Sequence, residues 1–345
     1  MRRLLGDGGV IVCAISGGAD SMALLHGLVR VREMRKRDWT LHVAHLDHGI
    51  PRDSAEMMQF VAEAAEAAGV PCHRDQVDVP ALSKATNESI EEAGRKARYA
   101  FLERICVDVD ADALAVAHHA DDQAETILHR IFRGTGLGGL AGIPATRALR
   151  SGVRARLIRP LLEFRRSDCV GYLDHRGLQY MHDDTNADVL AATRNRIRHE
   201  VLPAIEREIN PQAVTAIVRL GDIARRTAAL VDVLTDEAFE RCCVERSAHE
   251  LSFDVEALSE ERDVIRMALI GAAVERVGGG RSEVGYERLV SAANAIDGGR
   301  RDMIVEFPGG VSVVRRGRFV IVSNRANAER RGAAGRAVSP DAGTE

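Results

Sequence analysis

Three short segments of this 345-residue chain combine residue types that can do chemistry. The first, Ser16-Gly17-Gly18-Ala19-Asp20-Ser21, follows the apolar run Val10–Ile15. It opens a segment whose apolar residues, Met22, Leu24, Leu25, Leu28 and Val29, recur at helical spacing. A buried strand that turns through glycines into a helix is a phosphate-binding geometry. The glycines let backbone N–H groups close on an anion, and the helix N-terminus adds its partial positive charge. Ser16 and Ser21 add hydroxyl donors. No lysine follows the glycines, so this is not the GxxxxGK[ST] loop. The plainer alternative is a Gly-Ser turn capping an ordinary helix. The second segment is His45-Leu46-Asp47-His48-Gly49, and the third runs from His118 to Thr126 as His-His-Ala-Asp-Asp-Gln-Ala-Glu-Thr. Asp122 and Glu125, three apart on a helix, share one face. Carboxylates beside phosphates repel them unless a cation intervenes, and hard oxygen ligands of this kind suit Mg²⁺. The alternatives are that Asp121 or Asp122 only caps the helix, and that His118 is a satisfied core histidine. A zinc site on His45, His48, His118 and His119 lacks both HExxH and a cysteine pair.

The elements that must position these segments are readable from hydrophobic periodicity. Strands are expected at Val10–Ile15, Leu41–Leu46, Cys72–Val77 and Ala113–Ala117. Helices are expected near Ser21–Arg35, Asp53–Ala68 and Ser89–Val107, with another from Asp121. Ser89 with Glu92 is a capping box for the third helix. Such alternation implies an α/β fold with a parallel, doubly wound sheet, so all three chemical loops emerge at one edge. Short strands or irregular chain are expected at Arg154–Pro160 and Leu178–Met181, with a helix near Arg166–His175 between them. A smaller, mostly helical domain follows. Its long helix covers Val214–Cys243 and another covers Val264–Arg276. The runs Met303–Phe307 and Val311–Val322 form a closing hairpin around Pro308-Gly309-Gly310. The expected division is residues 1–212, 213–326 and a disordered, Ala/Gly/Arg/Ser-rich tail at 327–345. Gly134-Thr135-Gly136-Leu137-Gly138-Gly139 matches GxGxxG but follows a helix instead of a strand. It reads better as a glycine-rich loop at the mouth of the site than as a dinucleotide fingerprint.

Composition, at 46% hydrophobic and 28% charged, is that of a soluble globular protein. No apolar run nears the ~20 residues that span a bilayer, and the start has no signal-peptide core, so no membrane partner and a cytoplasmic location are expected. The six cysteines form no CxxC, which leaves reduced thiols as the default. The net charge of −4 argues weakly against nucleic acid until the arginines are placed. Arg147, Arg150, Arg154, Arg156, Arg159, Arg165 and Arg166 fall close together, opposed locally only by Glu163. Arg194, Arg196, Arg198 and His199 follow. Guanidinium groups suit phosphates and base stacking, although a solvated arginine-rich surface would look the same.

Taken in order, SGGADS, HLDHG, EAGRKARY (Glu92–Tyr99), HHADDQAET with RGTGLGGLAGI, Arg159-Pro160-Leu161-Leu162, Asp184-Thr185-Asn186 and RNRIRHEVLP (Arg194–Pro203) closely resemble the bacterial tRNA(Ile)-lysidine synthetase family of the ATP-pyrophosphatase (PP-loop) superfamily. The match covers about residues 10–210, and the C-terminal part resembles the family's variable tRNA-binding region only loosely. The segment before the first strand is shorter than usual for the family, and the chain closes after one C-terminal domain where longer relatives carry a second. The resemblance implies a two-step reaction at the wobble cytidine of isoleucine tRNA with a CAU anticodon. ATP adenylates the carbonyl oxygen on carbon 2 and releases pyrophosphate. The ε-amino group of free L-lysine then attacks that carbon, AMP leaves, and the lysidine formed pairs with A. It also implies roles. Ser16, Gly17, Gly18, Ala19, Asp20 and Ser21 bind ATP, and Asp20, Asp122 and Glu125 place Mg²⁺. His118 and Asp122 serve catalysis, Arg194 steadies the transferring phosphate, and Arg159, Arg194, Arg196 and Arg198 hold tRNA phosphates.

Other classes leave different traces. A tRNA 2-thiolation enzyme of the same superfamily relies on paired cysteines or an iron–sulfur cluster. A small-molecule amide ligase sharing SGGxDS has no need of the RNRIRH cluster, and a non-catalytic RNA-binding module has no need of the acidic pair. Whether two copies form a homodimer is not readable from the sequence.

Overall fold

The computed structural model describes residues 5–49, 54–181, 189–278, 284–297 and 304–324. The chain divides into two compact units, Met1–Ile223 and Ala224–Glu345. The first begins with the expected alternation. β1 (Gly8–Ala14) leads into α1 (Ala19–Arg35), and β2 (Asp38–Asp47) into α2 (Ser54–Ala67). β3 (Cys72–Gln76) leads into α3 (Val79–Thr86) and α4 (Ile90–Asp108), and β4 (Ala113–Ala115) into α5 (Ala120–Phe132). After the short α6 (Leu137–Leu140) come β5 (Thr146–Ala148), β6 (Arg156–Ile158) and α7 (Arg166–His175). Then follow α8 (Val189–Arg196), a π turn (Ile197–Val201), α9 (Leu202–Glu208) and the 30-residue α10 (Ala213–Cys242).

The sheet runs β3-β2-β1-β4-β6-β5, parallel except for β5, which pairs antiparallel with β6. Alternating side chains feed two cores, as a sheet covered on both faces requires. Ile11 and Cys13 pack with Leu24, Leu25 and Leu28 of α1 and Leu173 of α7. Val12 packs on the opposite face with Phe101, Leu102 and Ile105 of α4. β2, β1 and β4 are adjacent and parallel, so their carboxyl-end loops share one edge as expected. Ser89 caps α4 by accepting from the Glu92 N–H at 3.2 Å. Unforeseen was α3, although Asp78 caps it and Pro80 lies in its first turn. At the end of the Leu178–Met181 segment, Met181 pairs with Gly18 beside the first loop. Asp184-Thr185-Asn186 and the expected tail at 327–345 lie outside the described residues.

In the second unit, β7 (Cys243–Arg246), β8 (Glu250–Asp254), α11 (Val255–Glu260), α12 (Asp263–Arg276), α13 (Tyr286–Asp297), β9 (Ile304–Phe307), β10 (Val311–Arg316) and β11 (Phe319–Asn324) follow. The expected hairpin is present, with a 3-10 turn at Pro308–Gly310 and Phe307 opposite Val311. It belongs to a larger antiparallel sheet, β7-β8-β11-β10-β9. The run Val311–Val322 is two strands instead of one, because Gly317, at φ +58°, turns the chain back. Leu251, Phe253, Val311, Val313, Val320 and Val322 bury one sheet face against Leu269, Ile270, Ala273 and Val274 of α12.

Candidate active site

The Ser16–Ser21 loop is held from within. Ser21 Oγ accepts the N–H of Ser16 at 3.2 Å and of Gly17 at 3.1 Å, and donates to Gly18 O at 2.8 Å. Ser21 is 5% exposed, so its hydroxyl braces the loop instead of facing an anion, unlike the sequence-based expectation. Gly17 adopts φ +97°, and a Cβ there would sit 2.3 Å from Met57 Sδ. Gly18 is the N-cap of α1 and supplies no side-chain cap. The first-turn N–H groups of a 17-residue helix are thereby left open to an anion. The second loop is tied to this one: His45 Nδ1 lies 2.8 Å from Ile15 O. Asp47 accepts from Gly49 N–H and from Gln76 Nε2, each at 2.9 Å, which fixes the turn.

Beside the loop stands an acidic wall. His119, 3% exposed, places Nε2 3.5 Å from Asp20 Oδ2 and 3.5 Å from Asp122 Oδ2, and Nδ1 3.5 Å from Asp121 Oδ2. Burial alone would lower its pKa. Hydrogen bonds to Asp121 and Asp20 and the charge of Asp122 outweigh that and lift it to about 10, so it is an imidazolium at neutral pH. Asp121 also accepts from Arg165 Nε at 3.0 Å and from Arg166 N–H at 2.8 Å. Asp122 caps α5 by accepting the His119 N–H at 2.9 Å, so the capping alternative and a site role coexist in one residue. Asp20 Oδ1 is buried with no hydrogen-bond partner among the described residues.

Arg198 closes this wall from the other side. Its Nε donates to Glu125 Oε1 at 2.6 Å, and its Nη2 to Glu125 Oε2 at 3.0 Å and Asp122 Oδ1 at 2.8 Å. The π turn that carries it packs Ile197 against Ala120, Ala124 and Leu128 of α5. One extra residue in the turn rotates the chain's phase, and such turns recur at functional sites. Burial pushes the Glu125 carboxyl above its usual value despite Arg198.

His118, next to His119 in the chain, has basic neighbours instead. Arg159, 6% exposed, donates from Nε to His118 Nδ1 at 3.3 Å and from Nη1 to Pro144 O at 2.6 Å. Burial, then the charges of Arg159, Arg98 and Arg95, outweigh Asp122 and take His118 down to about 4. His118 is therefore neutral, and the Arg159 bond assigns its proton to Nε2. Arg95, Arg98 and Arg147 surround the Tyr99 ring at 5.1, 5.5 and 5.1 Å from its centre.

The loop residues, Asp20, His118, Asp122 and Glu125 therefore converge as expected. Arg194 and Arg196 are exposed at the end of α8. Arg159 and Arg198, expected on tRNA phosphates, instead face inward onto His118 and onto Glu125 with Asp122. Several surface arginines also meet partners that spacing does not reveal: Arg150 with Glu103, Arg154 with Asp110 and Asp112, and Arg165 with Asp121 and Glu206. Sequence reading named no role for Arg95, Arg98 and Tyr99. Their signal was present, since i, i+3 and i+4 on one helix place them together. All six cysteines are free thiols. Among the described residues no helix is long and apolar enough to cross a membrane.

The matching family model is a PP-loop domain, over residues 6–205. The chain is 36% identical to a tRNA(Ile)-lysidine synthase of Geobacter sulfurreducens over 303 residues, which is 87% of this chain and 60% of that protein. It is 38% identical to one of Thermotoga sp. strain RQ2, over 69% of this chain and 55% of that protein. A third, of Clostridium perfringens, is 32% identical over 79% and 56%. The chain thus spans somewhat over half the length of these relatives. Among solved structures, the U34-tRNA thiolase NcsA from Methanococcus maripaludis with its [4Fe-4S] cluster is similar at a TM-score of 0.53 and 18% identity, over 65% of this chain and 74% of that one. That likeness is one of fold alone. With a glycine loop at the end of β1 and acids from α1 and α5 beside it, the chain belongs to the PP-loop domain family.

Proposed function

We propose that this chain ligates free lysine to carbon 2 of the wobble cytidine in isoleucine tRNA bearing a CAU anticodon, at the expense of ATP. The observation that carries this reading is one sheet edge holding an open helix N-terminus, with the carboxylates of Asp20 and Asp122 joined there through His119. The names of the similar curated proteins point the same way. The α1 N-terminus and Gly17–Gly18 hold the pyrophosphate portion of ATP. The cytosine O2 attacks the α-phosphorus, and pyrophosphate leaves. The lysine amine then attacks carbon 2, and AMP leaves.

Charge assigns the remaining roles. Asp20, Asp121, Asp122 and Glu125 face three cations, His119, Arg165 and Arg198. Among these groups one negative charge is left over, and Asp20 Oδ1 is the unpartnered atom. That atom fits a cation. Glu125 does not, because Arg198 occupies both of its oxygens. Among the described residues no three His, Cys, Asp or Glu side chains form a ready-made metal cluster. Mg²⁺ bound through one carboxylate, phosphates and water needs none. Asp20 would hold it, and it would supply charge neutralisation on the phosphates. The acidic wall also draws in the lysine ammonium before it loses a proton. His118, neutral and bearing its proton on Nε2, donates a hydrogen bond to an oxygen that gains charge as AMP leaves. Arg159 positions His118, and exposed Arg194 steadies the transferring phosphate. The second unit, with Arg196 on the first, is assigned to tRNA docking.

Incubation with ATP, labelled lysine and unmodified tRNA tests the reading. Label should enter the tRNA with release of one pyrophosphate and one AMP per lysine. ATP turnover without lysine transfer overturns it.

A further inference from the structure

The face of α5 that carries the acidic pair continues past it. Asp122, Glu125, His129 and Phe132 stand at i, i+3, i+7 and i+10, one side of the helix. Phe132 ends this row 63% exposed, although a large aromatic is ordinarily withdrawn from water. It stands roughly 10 Å along the helix axis from Glu125, at 1.5 Å per residue. Ile131 and Leu137 beside it in sequence are each 41% exposed.

What surrounds this aromatic is positive and open. From Thr126 to Leu162 the chain has no Asp or Glu. Burial, then the charges of Arg194, Arg133 and Arg130, hold His129 below its usual pKa, so those three guanidinium groups act on the row at His129. Arg130 donates to Gly139 O at 2.9 Å and Gly142 O at 2.8 Å and so clasps the glycine segment. At Gly134, Gly136 and Gly138 an added Cβ would meet nothing within 4 Å, so the segment that follows Phe132 is uncrowded. An apolar protein partner would be matched by a wider apolar patch with fewer like charges. An exposed ring with arginines near it, in a stretch of chain that carries no Asp or Glu, matches single-stranded nucleic acid, whose bases stack on aromatics while guanidinium groups take the phosphates.

We propose that Phe132 is a stacking platform for an unpaired RNA base adjacent to the reacting nucleotide, with Arg133 on a flanking phosphate. The proposal rests on the functional reading above for the identity of the RNA. On that reading the wobble base leaves its stack to reach Asp122, and its neighbour loses a stacking partner that Phe132 replaces.

The test uses the full chain and an anticodon stem-loop RNA carrying a CAU anticodon, with 2-aminopurine at the nucleotide 3′ of the cytidine. Binding to the wild-type chain should quench the 2-aminopurine. Phe132→Ala should abolish the quench and weaken RNA binding roughly 5- to 150-fold, the range expected for one stacked base. ATP affinity and melting temperature should not change. Phe132→Trp should restore both signals, and Phe132→Leu should not. The proposal is overturned if the wild-type chain does not bind the stem-loop, if Phe132→Ala binds it equally well, or if Leu serves as well as Trp. The last result would mean general apolar contact, as with a protein surface. If quenching and its loss in Phe132→Ala occur but no lysine is transferred, the stacking site stands and the lysidine reading falls.

Discussion

Asp20 has one carboxylate oxygen 3.5 Å from the His119 imidazolium and one buried without a hydrogen-bond partner among the described residues. Replacing it with Asn keeps the volume and removes the charge. Asp20→Asn should still fold and should slow pyrophosphate release on the order of 100-fold or more, the scale for losing one electrostatic contact to a transition state. Release at the wild-type rate would remove Asp20 from the reaction. His119 has the opposite balance. Its folded pKa of about 10 lies above the ordinary histidine value, so folding favours the proton. The stability it contributes is complete below about pH 6.5 and is lost as pH rises toward 10. A His119→Gln variant should therefore be less stable than wild type near pH 6, with the gap closing by pH 10. Melts of both proteins across that range check this, and a constant gap would contradict the charge assignment. His118, held down to about 4, behaves inversely: between pH 6.5 and 4 the unfolded chain binds its proton more readily, so stability falls there as pH falls.

At the scale of the element, the loop after β1 depends on one backbone conformation. Gly17 at φ +97° lies where a side chain is strained, and an added Cβ would collide with Met57 of α2. Gly18 lies at φ −72°, and a Cβ there would come no nearer than 3.8 Å to Ser16 Oγ. Gly17→Ala should lower stability by about 1–3 kcal/mol and weaken ATP binding with it, whereas Gly18→Ala should fold as wild type. Equal melting temperatures for the two variants would show that the glycines are interchangeable. The π turn is the second such element. It sets the side on which Arg198 projects, and a regular helix through Ile197–Val201 would shift the guanidinium away from Glu125.

At the scale of the molecule, a chain of net charge −4 is assigned a polyanionic partner. Affinity for such a partner follows local contacts through counterion release, so RNA binding should weaken steeply with salt. The structure separates arginines that can contribute from those already engaged. Among the described residues no ion pair involves Arg166 or Arg194, while Arg150 and Arg154 face carboxylates. Neutralising Arg166 or Arg194 should reduce the slope of log affinity against log salt by about 0.7 to 0.9, and Arg150→Gln should change it little. Equal slopes for all variants would place docking elsewhere. The strands, the glycine loop, the helix of Asp122 and Glu125 and the cap at Ser89 were legible in the sequence because each depends on neighbours within one turn or one pleat. Short charged strands such as β7 and β8 were not, since only the sheet that β8 joins through β11 gives Leu251 and Phe253 a face to bury. The arginines mark the same division. Their number and clustering were plain, but a guanidinium takes whichever acceptor the fold brings near. That is how Arg198 meets Glu125 across 73 positions and Arg159 meets His118 across 41. Local chemistry determined the phosphate loop and its acids, and only the tertiary fold decided which arginines turn inward to serve them.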